Sequence, residues 1–114
     1  MDDCIFCKIA RGEIPSTRVY EDGRVLAFKD LNPLAPVHVV IIPKQHVDNL
    51  NQLDSLPEAT QLYLLHACHT VAQITGIDKT GYRIASNCGE DAGQTVQHLH
   101  FHVLGGGKLG VSMA

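Results

Sequence analysis

The segment VQHLHFHV, residues 96–103, alternates polar and apolar side chains with a period of two. In a β-strand this period places neighbouring side chains on opposite faces. One face then carries three histidines and the other three apolar side chains: His98, His100 and His102 against Leu99, Phe101 and Val103. A slip of one residue would bury the imidazoles, so the pattern fixes the register. We predict a strand over Val96–Leu104 with an imidazole-bearing face.

The spacing of these histidines favours separate tasks for them. On a straight strand, neighbouring histidines lie about 6.6 Å apart and the outer two about 13 Å apart. Zinc–nitrogen bonds are about 2 Å long, so one zinc ion does not suit all three. An imidazole titrates near neutral pH and can attack, bind an anion, protonate a leaving group or bind metal. The alternation, followed by Gly105-Gly106, favours such a site over a solvent-exposed strand face.

Length and composition indicate one globular domain. The chain has 114 residues, of which 45% are hydrophobic and 18% charged, which suits one core. No apolar run approaches the roughly 20 residues of a membrane span, and the acidic start does not resemble a secretory signal. We therefore expect a cytoplasmic protein. The net charge of -3 gives no general attraction for nucleic acid or membrane, so neither is an expected partner.

The remaining pattern predicts an α+β fold. Strands are predicted over four further segments: residues 19–21, 24–28, 37–42 and 82–86. The third segment is almost continuously apolar and β-branched, which is typical of a central strand covered on both faces. Asp22-Gly23 joins the first two as a hairpin turn. Because strands and helices do not alternate regularly, we expect a mainly antiparallel sheet.

Two helices are predicted, a short one over residues 4–10 and a long one from Leu56 to Thr75. Ser55 and Glu58 form a capping-box pattern, and Gly76 follows the end of the long helix. Its apolar side chains cover an arc of roughly 180°: Leu64, Leu65, Ala67, Cys68, Val71, Ala72 and Ile74. This arc is wider than one sheet face needs. It fits either a self-association surface or a helix packed between the sheet and a loop.

Two cysteines and one loop carry further signals. Cys4 and Cys7 are spaced C-x-x-C, which in a reducing cytosol indicates metal or redox chemistry more than a structural disulfide. Cys68 and Cys88 are interpreted as small buried apolar residues. In the loop GEDAGQT, residues 89–95, glycines would let backbone N–H groups approach a phosphate. No Walker A or dinucleotide-binding fingerprint is present.

The histidine segment resembles a known family. HLHFHVL, residues 98–104, matches the H-φ-H-φ-H-φ-φ signature of the histidine triad (HIT) family, where φ is apolar. Segments similar to its Hint branch extend along nearly the whole chain: Ile5–Ile9, Gly12–Pro15, Val19–Asp22, Ala27–Asp30, Ala35–His38, Ile42–Lys44, Gly81–Arg83 and Gly93–Val96. The resemblance implies a single HIT domain over residues 1–114. It implies a HIT-like fold with one long helix and a short N-terminal helix, assembled as a homodimer.

The resemblance also assigns roles to residues. His100 would be the nucleophile on the α-phosphorus, His102 would contact the phosphate and leaving group, and His98 would help to fix the site. A polar set would cradle the phosphate and its leaving group: Asn87, Gly93, Gln94 and Thr95. Asp30 would bind the ribose hydroxyls. An apolar set would flank the purine: Ile5, Phe6, Ile9, Phe28 and Leu31.

Cys4 and Cys7 are similar to those of a zinc-carrying subset of the branch. In that subset the ligands corresponding to His46 and His98 complete a tetrahedral structural site, which leaves His100 and His102 free. The alternative is a pair of reduced cysteines on a short helix. No organic cofactor is implied.

The function implied is hydrolysis of the P–N bond of purine nucleoside 5′-phosphoramidates, and cleavage of aminoacyl adenylates, through a nucleotidyl-histidine intermediate. The substrate would carry an AMP or GMP moiety. Two alternatives stay open: a nucleotide- and zinc-binding regulatory module with little turnover, and a dinucleoside polyphosphate hydrolase. Gln97 stands where many Hint proteins carry an aromatic residue, and the tail after Gly106 lacks the Trp-Pro ending of some relatives.

Overall fold

A computed structural model describes residues 3–111 as an α+β domain built on one antiparallel sheet. The strands are β1 (Arg18–Glu21), β2 (Val25–Lys29), β3 (Val37–Pro43), β4 (Tyr82–Ala85) and β5 (Phe101–Gly105). Their order across the sheet is β1-β2-β3-β5-β4, and every neighbouring pair is antiparallel. The helices are α1 (Ile5–Ala10) and α2 (Glu58–Thr75). The predicted fold class is confirmed.

Both faces of the sheet are covered, as predicted for the central strand β3. On one face α2 packs through its buried side chains, among them Leu64, Cys68 and Val71. On the other face a smaller apolar cluster joins the sheet to α1 and its neighbourhood: Ile9, Leu26, Phe28, Val40 and Ile42, with Phe6, Ala10 and Ile14 against them. Among residues 3–111, no helix has the length and apolar character to span a membrane.

The last strand begins later than predicted. Strand β5 starts at Phe101, which pairs with Ile41 of β3, so His98 and His100 precede it. The cause lies in β3, which ends at Pro43, a residue without a backbone N–H to continue the ladder. The Leu99 N–H instead donates to the Val47 carbonyl at 2.8 Å. Leu99 and Val103 still lie on the α2 side, in the larger core cluster.

Other boundaries were also wrong. The N-cap of α2 is Pro57, with no side-chain capping bond, because Ser55 belongs to a preceding 3₁₀ helix, Leu50–Ser55. The predicted phosphate loop, residues 89–95, contains a short 3₁₀ helix, Glu90–Ala92. Of the tail that follows Gly106, residues 112–114 lie outside the described part of the chain.

Candidate active site and metal centre

His100 has a defined tautomer. Its Nδ1 lies 2.7 Å from the backbone carbonyl oxygen of His98, and a carbonyl can only accept, so Nδ1 carries the proton. In the neutral ring, the other nitrogen, Nε2, therefore holds the lone pair. The side chain is 5% exposed and lines a cavity of about 310 Å³. A neutral imidazole oriented in this way can act as a nucleophile or a base.

His102 forms a hydrogen-bonded chain with His38. The backbone N–H of Leu34 donates to His38 Nδ1 at 3.1 Å, so the proton of His38 lies on Nε2. That nitrogen is 2.9 Å from His102 Nδ1 and donates to it, which places the proton of His102 on Nε2. The Asp30 carboxylate lies 3.5 Å from His38 Nε2. We call His38 and His102 the histidine pair.

The environment of the histidine pair keeps both rings neutral. Burial lowers the pKa of His38, although the nearby Asp30 carboxylate opposes that effect. Burial, followed by His100 and His38, lowers the pKa of His102 to about 4. His102 is therefore uncharged at neutral pH and acts there as an N–H donor.

The cavity brings together most of the predicted binding residues. Nine of them line it: Ile5, Phe6, Ile9, Phe28, Asp30, Leu31, Thr95, His100 and His102. Phe6 packs edge-on against Phe28 and His100, with ring centroids 5.6 and 5.1 Å apart. His100 and His102 have ring centroids 5.0 Å apart. The cavity is therefore lined by apolar side chains together with the His100 and His102 imidazoles.

Three predicted phosphate-loop residues are not among those that line this cavity: Asn87, Gly93 and Gln94. The amide of Gln94 braces the loop, since its oxygen accepts from the Gly89 N–H and its nitrogen donates to the Asp48 and Val96 carbonyls. Gly93 has φ 74° at the end of the 3₁₀ helix, a conformation that favours glycine. Their role toward a phosphate stays a prediction.

The second group is the cysteine–histidine cluster, formed by Cys4, Cys7, His46 and His98. Its four ligand atoms all lie within 4.8 Å of one another. The sulfur–nitrogen distances are 3.3–3.5 Å and the two Nδ1 atoms are 3.1 Å apart. Zinc–ligand bonds of about 2.0–2.3 Å give a tetrahedron with edges of about 3.3–3.8 Å, so these four donors can hold a metal ion.

The outer hydrogen bonds of the cluster support metal binding. His98 Nε2 donates to the Pro43 carbonyl at 2.8 Å, and His46 Nε2 donates to the Asp48 carboxylate at 2.9 Å. In the neutral tautomers each ring presents an unprotonated Nδ1 to the other at 3.1 Å, and the donors within reach are the weak S–H groups of Cys4 and Cys7, whose sulfur atoms lie 3.4 and 3.3 Å away. A cation between the two nitrogens and the two sulfur atoms would bind all four at once. A carboxylate or carbonyl behind each ligating histidine is the usual support for such a site.

Burial shapes the titration of the cluster. Burial, followed by the Cys4 side chain, raises the pKa of the Cys7 thiol to about 11. Burial also lowers the pKa of His98 to about 4, which keeps this ring neutral, as a metal ligand must be. A bound divalent cation would oppose the effect on Cys7, because it favours the thiolate.

Two residues that sequence reasoning did not place in the site are His38 and Asp48. His38 is the polar residue inside the otherwise apolar strand β3, a signal that could have identified it. Asp48 follows His46 by two residues, and nothing in that spacing distinguished it from any surface carboxylate. Cys68 is buried as predicted, Cys88 is half-buried, and the helix histidines His66 and His69 are exposed.

The last strand of the antiparallel sheet and the segment just before it bring His100 and His102 to a cavity and His98 to a cysteine–histidine cluster. This arrangement defines a class of small α+β proteins with a site built on imidazoles. The HIT domain family matches residues 11–109 of the chain. The chain belongs to the HIT family.

Individual relatives agree with this assignment. Protein HitA of Neisseria gonorrhoeae is 44% identical over 107 residues, which cover 92% of this chain and 97% of that protein. A histidine triad protein from Clostridium difficile is 50% identical, with a TM-score of 0.87 and 96% of each chain covered. A HIT family hydrolase from Clostridium thermocellum is 49% identical, with the same TM-score and coverage.

Proposed function

We propose that this protein is a nucleoside phosphoramidase of the Hint branch. It would break the P–N bond of purine nucleoside 5′-phosphoramidates, and also cleave aminoacyl adenylates, through a nucleotidyl-histidine intermediate. The observation that carries the proposal is the hydrogen bond from His100 Nδ1 to the His98 carbonyl, because it leaves Nε2 ready to attack. Membership of the HIT family and the similarity to a chain described as a HIT family hydrolase support it.

The cavity suits a purine nucleotide. The apolar wall formed by Ile5, Phe6, Ile9 and Phe28 can take the flat face of a base. Asp30 lies on the cavity wall beside Leu31, where its carboxylate can accept hydrogen bonds from ribose hydroxyls. Thr95 lies at the same cavity as His100 and can donate to the phosphate. Asn87, Gly93 and Gln94 lie outside the cavity lining. The Gln94 amide nitrogen and the Gly93 N–H donate to backbone carbonyls, and they would have to exchange these partners to contact a phosphate. A similar structure from Candida albicans is described as a histidine triad nucleotide-binding protein.

The chemistry would proceed in two displacements at phosphorus. Nε2 of His100 attacks the α-phosphorus and forms a phosphorus–nitrogen bond, while the bond to the leaving nitrogen breaks. That nitrogen departs as the amine with one proton taken from solvent. Water then attacks the phosphorus, frees His100 and returns one proton to solvent as the nucleoside monophosphate leaves. His102 Nε2–H, oriented by His38, donates a hydrogen bond to the phosphoryl oxygens, whose charge grows in each transition state.

Zinc is the metal proposed for the cysteine–histidine cluster. Two thiolates and two imidazoles in a tetrahedral arrangement are a typical structural zinc set. Cys4 and Cys7 would hold α1 against the sheet through the ion, while His46 and His98 would supply the two nitrogen ligands. Bound there, zinc contributes a structural link, and the proposed displacements take place at the neighbouring cavity.

A cytoplasmic homodimer is also part of the proposal. Five of the seven side chains of the apolar arc on α2 are buried within the chain, whereas Leu65 and Ile74 are 61% and 56% exposed. Edge strand β4 adds Tyr82 and Ile84, which are also exposed. Leu65→Asp should therefore shift the sedimentation of the protein to that of a monomer without unfolding it. A wild-type monomer at micromolar concentration would contradict the dimer.

The direct test is incubation of the purified protein with adenosine 5′-phosphoramidate, with AMP release followed by chromatography. The proposal predicts catalytic turnover that is abolished in His100→Ala. Binding of AMP without turnover would instead support a regulatory module. Hydrolysis of diadenosine polyphosphates in preference to the phosphoramidate would support the third candidate.

A further inference from the structure

We propose that the metal in the cysteine–histidine cluster also positions His100 for attack, through the peptide group that joins His98 to Leu99. This inference rests on the proposed function, which makes His100 the nucleophile. It gives Cys4, Cys7 and His46 a positioning role in the reaction, although none of them bonds to the His100 ring.

The carbonyl of this peptide group determines the His100 tautomer. His98 O accepts the proton of His100 Nδ1 at 2.7 Å, inside a region where the His98 and His100 side chains are 0% and 5% exposed. Water does not replace a buried acceptor without a conformational change, so the direction of the carbonyl decides whether Nε2 stays unprotonated.

The amide of the same peptide group is attached to the metal-ligand segment. The Leu99 N–H donates to the carbonyl of Val47 at 2.8 Å, and Val47 directly follows the ligand His46. The His98 ring is fixed independently, by its Nδ1 in the cluster and its Nε2 on the Pro43 carbonyl. The peptide is therefore held at both ends by residues whose positions depend on the cluster.

A second connection passes through α1. Phe6 lies between Cys4 and Cys7 in sequence, and its ring packs edge-on against both His98 and His100, with centroids 6.0 and 5.1 Å away. A metal that fixes the two sulfur atoms also fixes this ring. Phe6 then limits the rotation of the His100 side chain and forms part of the cavity wall.

Loss of the metal would disturb this arrangement at a defined point. Without a cation, the two rings, whose Nδ1 atoms are 3.1 Å apart, are joined to Cys4 and Cys7 only by weak sulfur contacts of 3.3–3.5 Å, and they can move apart. Such a movement shifts the 98–99 peptide. We expect a mixture of His100 tautomers and a fall in kcat of about 10–100-fold, the usual range for groups that orient a reactive ligand.

The test compares zinc-loaded protein with chelator-stripped protein at one pH near neutrality. Metal content, circular dichroism, kcat and a long-range ¹H–¹⁵N spectrum of the histidine rings are measured on both. The loaded protein should show His100 as a single Nδ1–H tautomer, and the stripped protein a mixture. Addition of zinc or cadmium should restore the single form. Cys68→Ser, which changes a buried cysteine outside the cluster, should retain both the metal and the single tautomer.

A pair of variants at His46 covers the case in which stripped protein unfolds. His46→Cys keeps four ligands and should keep the metal, the tautomer and most of kcat. His46→Ala leaves three ligands and should show mixed tautomers with lowered kcat. A folded, metal-free sample with an unchanged His100 tautomer and unchanged kcat would overturn the inference. If the loaded protein has no phosphoramidase activity, the proposed function fails, and the tautomer comparison still decides the positioning role.

Discussion

The histidine pair and the cysteine–histidine cluster are built from the same kind of side chain, yet they satisfy their ring nitrogens in opposite ways. In the histidine pair, one proton lies between His38 Nε2 and His102 Nδ1 at 2.9 Å, because the Leu34 N–H occupies the far nitrogen of His38. In the cluster, the far nitrogens of His46 and His98 both donate outward, so two lone pairs meet at 3.1 Å.

This difference separates a hydrogen-bonded chain from a metal site more sharply than distance does. Asp30, His38 and His102 also bring their ligand atoms within 4.8 Å of one another, and a distance criterion alone treats both groups alike. The histidine pair is complete without a cation, whereas the two facing acceptors of the cluster have only the weak thiol donors of Cys4 and Cys7. The histidine pair is therefore assigned to phosphate binding beside the nucleophile His100, and the cysteine–histidine cluster to metal binding.

The largest effect is expected from His100→Ala. The substitution removes the attacking nitrogen, and phosphoramidase turnover should fall by about four orders of magnitude or more, as for the loss of other covalent nucleophiles. Steady-state kinetics with adenosine 5′-phosphoramidate measures the change, while zinc content should stay unchanged. Free imidazole should partly rescue His100→Gly. Near wild-type turnover in a folded His100→Ala protein would remove His100 from the centre of the mechanism.

Thr95→Ala is expected to reduce turnover far less than His100→Ala does. It removes one hydrogen-bond donor at the cavity and leaves the covalent route intact, so it should cost no more than about 2–3 kcal/mol of transition-state stabilisation. The same assay gives this value from kcat/KM. A loss as large as that of His100→Ala would mean that Thr95 does more than donate one bond.

The histidine pair predicts an effect at His38 of about the size expected for Thr95→Ala. His38→Gln places an amide N–H near the position of Nε2 and should keep most of kcat. His38→Asn places its amide near the position of Nδ1 and loses the donor to His102, so kcat should fall about 10–100-fold with a smaller change in KM. Equal kinetics for the two variants would show that the donor to His102 is not what matters.

Strand positions in this fold were predictable where hydrophobicity alone decides them. The apolar run from Val37 defined β3 to within one residue, and the alternation of Leu99 and Val103 identified the face that packs on α2. The start of β5 was not predictable, because it depends on where β3 stops and on the Leu99–Val47 bond. The capping role predicted for Ser55 was wrong for a similar reason, since Ser55 belongs to the 3₁₀ helix Leu50–Ser55 that precedes α2.

The sequence predicted which residues form the candidate metal site better than it predicted the hydrogen bonds between the histidines. The C-x-x-C spacing and the family resemblance together identified Cys4, Cys7, His46 and His98, which the structure brings together. The partnership of His38 with His102 joins residues 64 positions apart and depends on the register of β3 against β5. No local sequence pattern predicts that register. The sequence therefore indicated that His38 is unusual in an apolar strand, but it did not identify His102 as its partner.

The smallest effect concerns stability toward acid. The pKa of His102 is about 4 in the folded chain, below the ordinary value of about 6.5 that applies after unfolding. As pH falls through this window the unfolded state binds the proton first, so stability is lost on acidification and is fully present at higher pH. Between pH 7.5 and 5.5 the half-buried His102 should contribute a loss of about 1 kcal/mol at most.

Urea unfolding of wild type and His102→Gln at both pH values tests this prediction. The variant lacks the titrating ring, so its stability should change less between the two pH values than that of wild type. An equal or larger change in His102→Gln would show that other groups, the metal ligands included, account for the acid sensitivity.

The assignment of metal binding to the cysteine–histidine cluster, and not to the histidine pair, is tested most directly by measuring the metal content of the protein. Elemental analysis of untagged protein, purified without chelator, should find about one zinc ion per chain in wild type, as for a four-ligand structural site. His38→Gln/His102→Gln should retain that ion, and Cys4→Ser/Cys7→Ser should lose it. Wild-type protein without metal, or protein that loses its zinc when the histidine pair is changed and keeps it when the cysteines are changed, would contradict the account.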